Sequence, residues 1–256
     1  MGVARFAEKW RSEQREGRLR LFDAARGFAV VSMVLFHFCY DLKYISGHGL
    51  PFFAPPLQDI WRASISWTFL FVAGVMCSLS RNNLRRAVRY GAVALAVYVA
   101  TVLASVDVPI SFGIIYCMAA STFVVWLLER ANMVPKGPWA ALVLFACFLL
   151  LQRIQRGVIG LGPFVIAIPH WPYESGLFSW LGMPGPSFAS GDYYPLLPYT
   201  CLYLAGTAMG GWWKERGFPE VAYGMGYAPL EVVGHHSLLV YVLHQPVLLG
   251  IAMLMG

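Results

Sequence analysis

The sequence predicts an all-α, polytopic integral membrane protein, a bundle of about seven transmembrane helices. Three observations carry this. Of 256 residues, 58% are hydrophobic and only 12% are charged, with a mean hydropathy of +0.59; a soluble domain carries about a quarter charged residues. Apolar stretches near 22–40, 63–80, 87–105, 111–129, 138–152, 195–213 and 236–254 approach or reach the roughly 17–25 residues that cross a bilayer. The basic residues cluster in the short segments between them. With the N-terminus inside, fifteen of the 19 Lys and Arg fall on the cytoplasmic side, leaving Lys43, Arg62, Arg153 and Arg156 outside. That pattern writes a membrane topology and argues against nucleic acid as the partner of a +6 chain.

Residues 1–21 form a basic cytoplasmic segment without a cleavable apolar leader, so the first helix is itself the insertion signal. Residues 22–256 form a single transmembrane domain in the cell inner membrane, with the C-terminus outside. The first span, Phe22 to Asp41, carries four ionisable groups, Asp23, Arg26, His37 and Asp41. Ionisable groups at membrane depth are costly, face protein or a wet cavity, and mark functional sites. Arg26 and His37 are eleven residues apart, about 16 Å along one helix face. Asp41 follows His37 by four residues, so the two share a face, where a carboxylate fixes the tautomer and raises the basicity of an imidazole. A structural hydrogen bond is the alternative. Asp23 also reads as an N-cap.

The second, third and fourth spans follow near 63–80, 87–105 and 111–129. The fifth is short, and Arg153 and Arg156 snorkel to the surface beyond it. Val158 to Ile168 is apolar but too short to span, and Gly160, Gly162 and Pro163 break it; it reads as a re-entrant or interfacial piece buried against protein. The outer loops are 41–62 and 153–194. Trp61, Trp67, Trp171 and Trp180 read as interfacial anchors, with a sugar platform as the alternative. Asp192 begins the sixth span on the outer side, as an N-cap or an acceptor contact. In the last span His244 and Gln245 precede the helix-disrupting Pro246, and the pair reads as a site or an interhelical hydrogen bond. His235 and His236 stand at its cytoplasmic start. The five cysteines lie in apolar segments at no metal-like spacing and read as small buried hydrophobes. No metal is called for.

Taken together, Asp23-x-x-Arg26-Gly27 with His37 resembles the first-helix pattern of membrane acyltransferases. Three further segments resemble the bacterial branch related to heparan-α-glucosaminide N-acetyltransferase, catalogued as a domain of unknown function. They are Thr68 to Gly74, Gly191 to Pro198, and Gly234 to Pro246, the last being the most specific. The resemblance implies transfer of an acyl group, acetyl above all, from cytosolic acyl-CoA to an acceptor, usually a sugar. It casts Arg26 as a donor contact together with Asp23, His244 and Gln245, and His37 as a catalytic or donor-positioning residue. In the heparan enzymes an Asn stands in the place of His37, and a His of the following outer loop is the proposed catalyst; His48 stands in a similar position here, so the base is His37 or His48. The branch often shows G-I-L-H at the fourth helix, where this chain has Gly113-Ile114-Ile115-Tyr116, so Tyr116 becomes a polar contributor on the acceptor side. The expected partners are acyl-CoA, a glycan or other hydroxyl or amine acceptor, and the bilayer; a homodimer stays open. The competing reading is a transporter or proton-coupled permease using the buried His and Asp, and a structural partner protein stands behind it.

Overall fold

The structure, a computed structural model, describes residues 17–105 and 107–255. The first sixteen residues of the predicted N-terminal segment, with Arg5, Lys9, Arg11 and Arg15, lie outside the described residues, as does Gly256. Helices stand at all seven predicted stretches. α1 spans Arg20–Tyr40, α2 Leu57–Ser78, α3 Asn83–Ala104, α4 Ile114–Arg130, α5 Pro138–Leu151 and α6 Leu196–Arg216; α7 (Glu220–Gly224), α8 (Ala228–His235) and α9 (Ser237–Met255) complete the chain. Among the described residues, four segments are long and apolar enough to cross a membrane: Arg20–Ile45, Leu57–Ser78, Asn83–Ala104 and Pro138–Arg156. α8 and α9 together make a fifth if the pair, bent by 84°, counts as one. The protein is a helical membrane protein, and its outward surface agrees with that: Val88, Leu95 and Leu103 on α3 and Leu142 and Val143 on α5 are exposed apolar side chains on helices of spanning length.

The chain divides into two compact units, Met1–Ile65 with Gly217–Gly256, and Ser66–Arg216. In the first, α1 buries Asp23, Gly27, Val30, Met33 and Phe36, positions three or four apart that form one stripe. Phe28 and Leu35, on the other side, are exposed. α8 and α9 pack on α1. The crossing with α8 is set by glycine: a β-carbon at Gly27 would collide with the Leu230 carbonyl, and one at Gly234 with the Asp23 carbonyl. After Tyr40 the helix widens into a π-helical turn, Asp41–Ile45, a device that recurs at functional sites. Trp61 donates to Ser32 Oγ at 2.7 Å and packs edge-on against Phe36 and Phe53.

In the second unit, the part of α2 from Ser66 onward packs on α6 through glycine. Gly74 lies against the Tyr203 carbonyl and Gly206 against that of Phe71, and Thr207 Oγ1 donates to Gly74 O at 3.2 Å. Small residues let transmembrane backbones approach and exchange such bonds. α3 packs on α4, and α5 on α6. Trp67 stacks edge-on against Phe148, ring centroids 4.9 Å apart. Trp61 and Trp67 are half-buried against these aromatic partners, and Trp171 and Trp180 are exposed.

Val158 to Ile168 departs from the re-entrant expectation. It is an antiparallel hairpin, β1 (Val158–Leu161) with β2 (Phe164–Ala167), paired Val158 to Ala167 and Leu161 to Phe164. The glycines and proline that break a helix make its turn, and Gly160 (φ +128°) holds a conformation other residues avoid. Pro246 also departs from expectation: α9 runs straight through it, and the break falls at His236, between α8 and α9.

Candidate functional site

Within the first unit, α1, α8 and α9 assemble two polar groupings. The first lies at the start of α1. Asp23 is buried and accepts from two arginines, Arg18 Nε at 2.6 Å and the Arg26 guanidinium. Asp23 does not cap the helix; Leu19 holds the N-cap position, and the carboxylate pairs with side chains instead. Arg18 also reaches His235 Nδ1 at 3.2 Å. Beside them Arg20 makes a forked bond to the buried Glu231, with Nη2 2.9 Å and Nε 3.2 Å from Oε1. Two arginines on one aspartate leave the grouping with excess positive charge.

The second grouping lies where α1 passes into its π-helical turn. The rings of His37 and His244 stand with centroids 5.0 Å apart. Asp41, fully buried, accepts from Gln245 Nε2 at 3.2 Å on each carboxylate oxygen. A carboxylate needs a donor, so the Gln245 amide is oriented with its NH2 toward Asp41 and its Oε1 away. His244 Nδ1 lies 2.5 Å from the Tyr241 carbonyl. A carbonyl only accepts, so Nδ1 carries the proton and Nε2 keeps its lone pair.

Buried polar atoms are nearly always hydrogen-bonded, and each exception asks for an explanation. Among the described residues five such atoms are buried without a partner: Arg86 Nε and Gln152 Nε2 in the second unit, and Arg26 Nε, His244 Nε2 and Gln245 Oε1 in the first. The last three are one cationic donor and two acceptors, and they belong to the two groupings just described. They have the complementarity of a site for a ligand bearing both an anion and an exchangeable proton.

The predicted residues separate accordingly. Asp23 and Arg26 come together, as do His37, Asp41, His244 and Gln245. The sequence placed His37 and Asp41 side by side; the structure turns Asp41 to Gln245 and His37 to His244. His48 is exposed in the loop after the π-helical turn. Asp192 and Tyr116 belong to the second unit. Asp192 Oδ2 accepts from Ile114 N at 3.3 Å, at the start of α4. Tyr116 packs its ring 5.0 Å from Phe112. Sequence reasoning missed Arg18, Arg20 and Glu231. An acidic residue inside the otherwise apolar Ala228–His235 was the available signal for Glu231. Among the described residues no three His, Cys, Asp or Glu side chains converge as metal ligands.

The fold is that of a helical membrane protein with buried charged and imidazole-bearing groupings on α1, α8 and α9. The chain matches the model of the heparan-alpha-glucosaminide N-acetyltransferase catalytic family over residues 18–246, and it belongs to that family. Its affiliation is thus to membrane acetyltransferases. No curated protein and no solved structure matches the chain.

Proposed function

We propose that the protein moves an acyl group, acetyl in the first instance, from cytosolic acyl-CoA to an extracytoplasmic or membrane-linked acceptor, most naturally a sugar hydroxyl or amine. The reading rests on family membership, and one structural observation supports it above the others: three buried, unpartnered polar atoms on α1 and α9. In this account Arg26 and Arg18 engage the phosphates of the donor, since guanidinium forks match phosphate oxygens. Asp23 holds both side chains in place. The thioester reaches toward His37 and His244.

The acceptor O–H or N–H gives its proton to the imidazole pair while its oxygen or nitrogen attacks the thioester carbonyl carbon. The carbon–sulfur bond then breaks, and the departing thiolate takes up the proton. His244 Nε2 is the lone pair best prepared for this, because the Tyr241 carbonyl fixes the tautomer. His37 lies beside it and positions the acceptor or shares the proton. Gln245 and Asp41 act as positioning residues for α9 against α1. Asp192 and Tyr116 are assigned to the acceptor side. An inside N-terminus, supported by the fifteen-to-four charge asymmetry, puts the donor on the cytoplasmic side and the acceptor on the extracytoplasmic side.

Purified protein in detergent, given labelled acetyl-CoA and a panel of sugars, tests the reading. Release of free CoA with appearance of label on a sugar is expected. Absence of both CoA binding and CoA release, with substrate uptake by proteoliposomes in the absence of any acyl donor, would replace it with the permease reading.

A further inference from the structure

The hairpin β1–β2 is assigned no role by the chemistry above, and its surface is unusual. Val158 to Ile168 is eleven consecutive residues without a polar side chain. Side chains alternate across a strand, and cross-strand partners share a face. Phe164 and Ile166 therefore lie on one face together with their partners Leu161 and Ile159. That face is apolar throughout and largely bare: Phe164 is 85% exposed, Ile166 76% and Leu161 48%, with Ile159 half-buried. Val165, on the other face of β2, is less exposed, at 40%. A two-stranded hairpin is marginal in water and needs a surface to lie against.

What covers this face follows from where the hairpin is tied. The membrane-spanning segment Pro138–Arg156 ends two residues before β1 begins, so the first strand starts within about 7 Å of the span's end. β1 packs on α5, whose Leu142, Val143 and Leu150 are exposed apolar side chains on that spanning segment. The bare face thus continues a lipid-facing surface to the edge of the bilayer. Arg153 donates to Gly162 O at 3.2 Å, fastening the turn to the end of the span. Arg156 is exposed beside it, and Trp171, 61% exposed, follows the second strand. Basic and indole side chains flanking an apolar face suit the headgroup layer.

We infer that the β1–β2 hairpin is a membrane-surface anchor: its Ile159, Leu161, Phe164 and Ile166 face enters the outer leaflet and seats the 153–194 loop on the lipid surface. The inference rests on the membrane topology and is independent of acyl transfer. Loop contacts near the anchor agree with a fixed seat. Tyr173 donates its hydroxyl to Ile154 O at 2.6 Å, and Tyr193 to Ser179 O at 2.5 Å. Burial raises the pKa of both phenols, so both remain donors at neutral pH.

Spin labels at Phe164→Cys, Ile166→Cys and Val165→Cys, in full-length protein reconstituted into phosphatidylethanolamine–phosphatidylglycerol vesicles, test this. The spectrum of the labelled unsubstituted protein is subtracted for its five native cysteines. Collision with oxygen relative to a water-soluble nickel complex reads depth. The ratio at 164 and 166 is expected to exceed that at a reference outside the spans, Glu174→Cys, several-fold, with 165 between them. Leu161→Cys, on the same face, replaces any variant that elutes as an aggregate. A nickel accessibility at 164 and 166 equal to that at 174 would overturn the anchor in favour of a water-exposed hairpin. Shielding from both reagents with spin–spin broadening would overturn it in favour of a second copy of the chain.

Discussion

Gly27→Ala adds one methyl group to α1 next to Arg26, at the point where α8 crosses. The new β-carbon meets the Leu230 backbone, with the carbonyl oxygen nearest and the Leu230 Cα at 3.0 Å. No side-chain rotation can relieve a clash with backbone, so α8 must move away from α1. Overpacking of this kind costs about 1–3 kcal/mol. At about 2–4 °C per kcal/mol for a chain approaching this size, the thermal midpoint should fall by roughly 2–12 °C. The displacement also acts on the site, because α8 carries Glu231, which holds Arg20, and His235, which meets Arg18. KM for acyl-CoA should therefore rise while kcat changes less. Gly234→Ala, opposed by the Asp23 carbonyl, should behave alike. Gly91→Ala on α3 is the matched control. Nothing lies within 4 Å of the added carbon, and loss of glycine freedom in a helix is worth about 0.5–1 kcal/mol of stability. Midpoints followed by intrinsic fluorescence of detergent-purified protein decide the matter. If Gly27→Ala and Gly91→Ala shift the midpoint equally, the close α1–α8 crossing is refuted.

Three other outcomes follow. Arg26→Ala should weaken acyl-CoA binding, measured by calorimetry, far more than Arg26→Lys, which keeps charge but loses the planar fork; equal and negligible effects would reduce Arg26 to a topology signal. His244→Ala should lower the transfer rate about 10²–10⁴-fold, the usual loss with a general base, while CoA binding holds; His37→Ala should also impair turnover, and His48→Ala should stay active, with the reverse pattern moving the base to the loop. Gln245→Leu removes the amide donor from a fully buried Asp41 and should cost about 1.5–3 kcal/mol, seen as a lower melting midpoint together with lost turnover; an unchanged midpoint would show that the bond contributes nothing.

The helices were legible because hydrophobic runs of spanning length leave few alternatives, and Arg26, His37, Asp41, His244 and Gln245 stood out as polar residues inside them. Their pairings were not legible. The i to i+4 spacing joined His37 to Asp41, whereas the π-helical turn at Asp41–Ile45 alters the register from that residue on, and Asp41 meets Gln245, 204 residues away. Periodicity within one helix cannot predict such a partner. Asp23 read as a cap because first-turn acids usually serve that role, and tertiary ion pairs with Arg18 and Arg26 won instead. The hairpin was missed because an apolar run with two glycines and a proline fits a broken helix as well as a tight turn. Pro246 misled in the other direction: α9 tolerates it, while the 84° bend falls at His236, two residues after Gly234.

The central claim is transfer from a donor on the cytoplasmic side to an acceptor on the other side, at a site built on α1 and α9. Proteoliposomes sorted by orientation, with labelled acetyl-CoA on one side only and a membrane-impermeant amino sugar on the other, test it directly. Label should reach the sugar only when acetyl-CoA faces the Lys214–Arg216 side, and His244→Ala should abolish that transfer in vesicles that still bind CoA. Equal labelling from both sides, or full transfer by His244→Ala, would contradict the account.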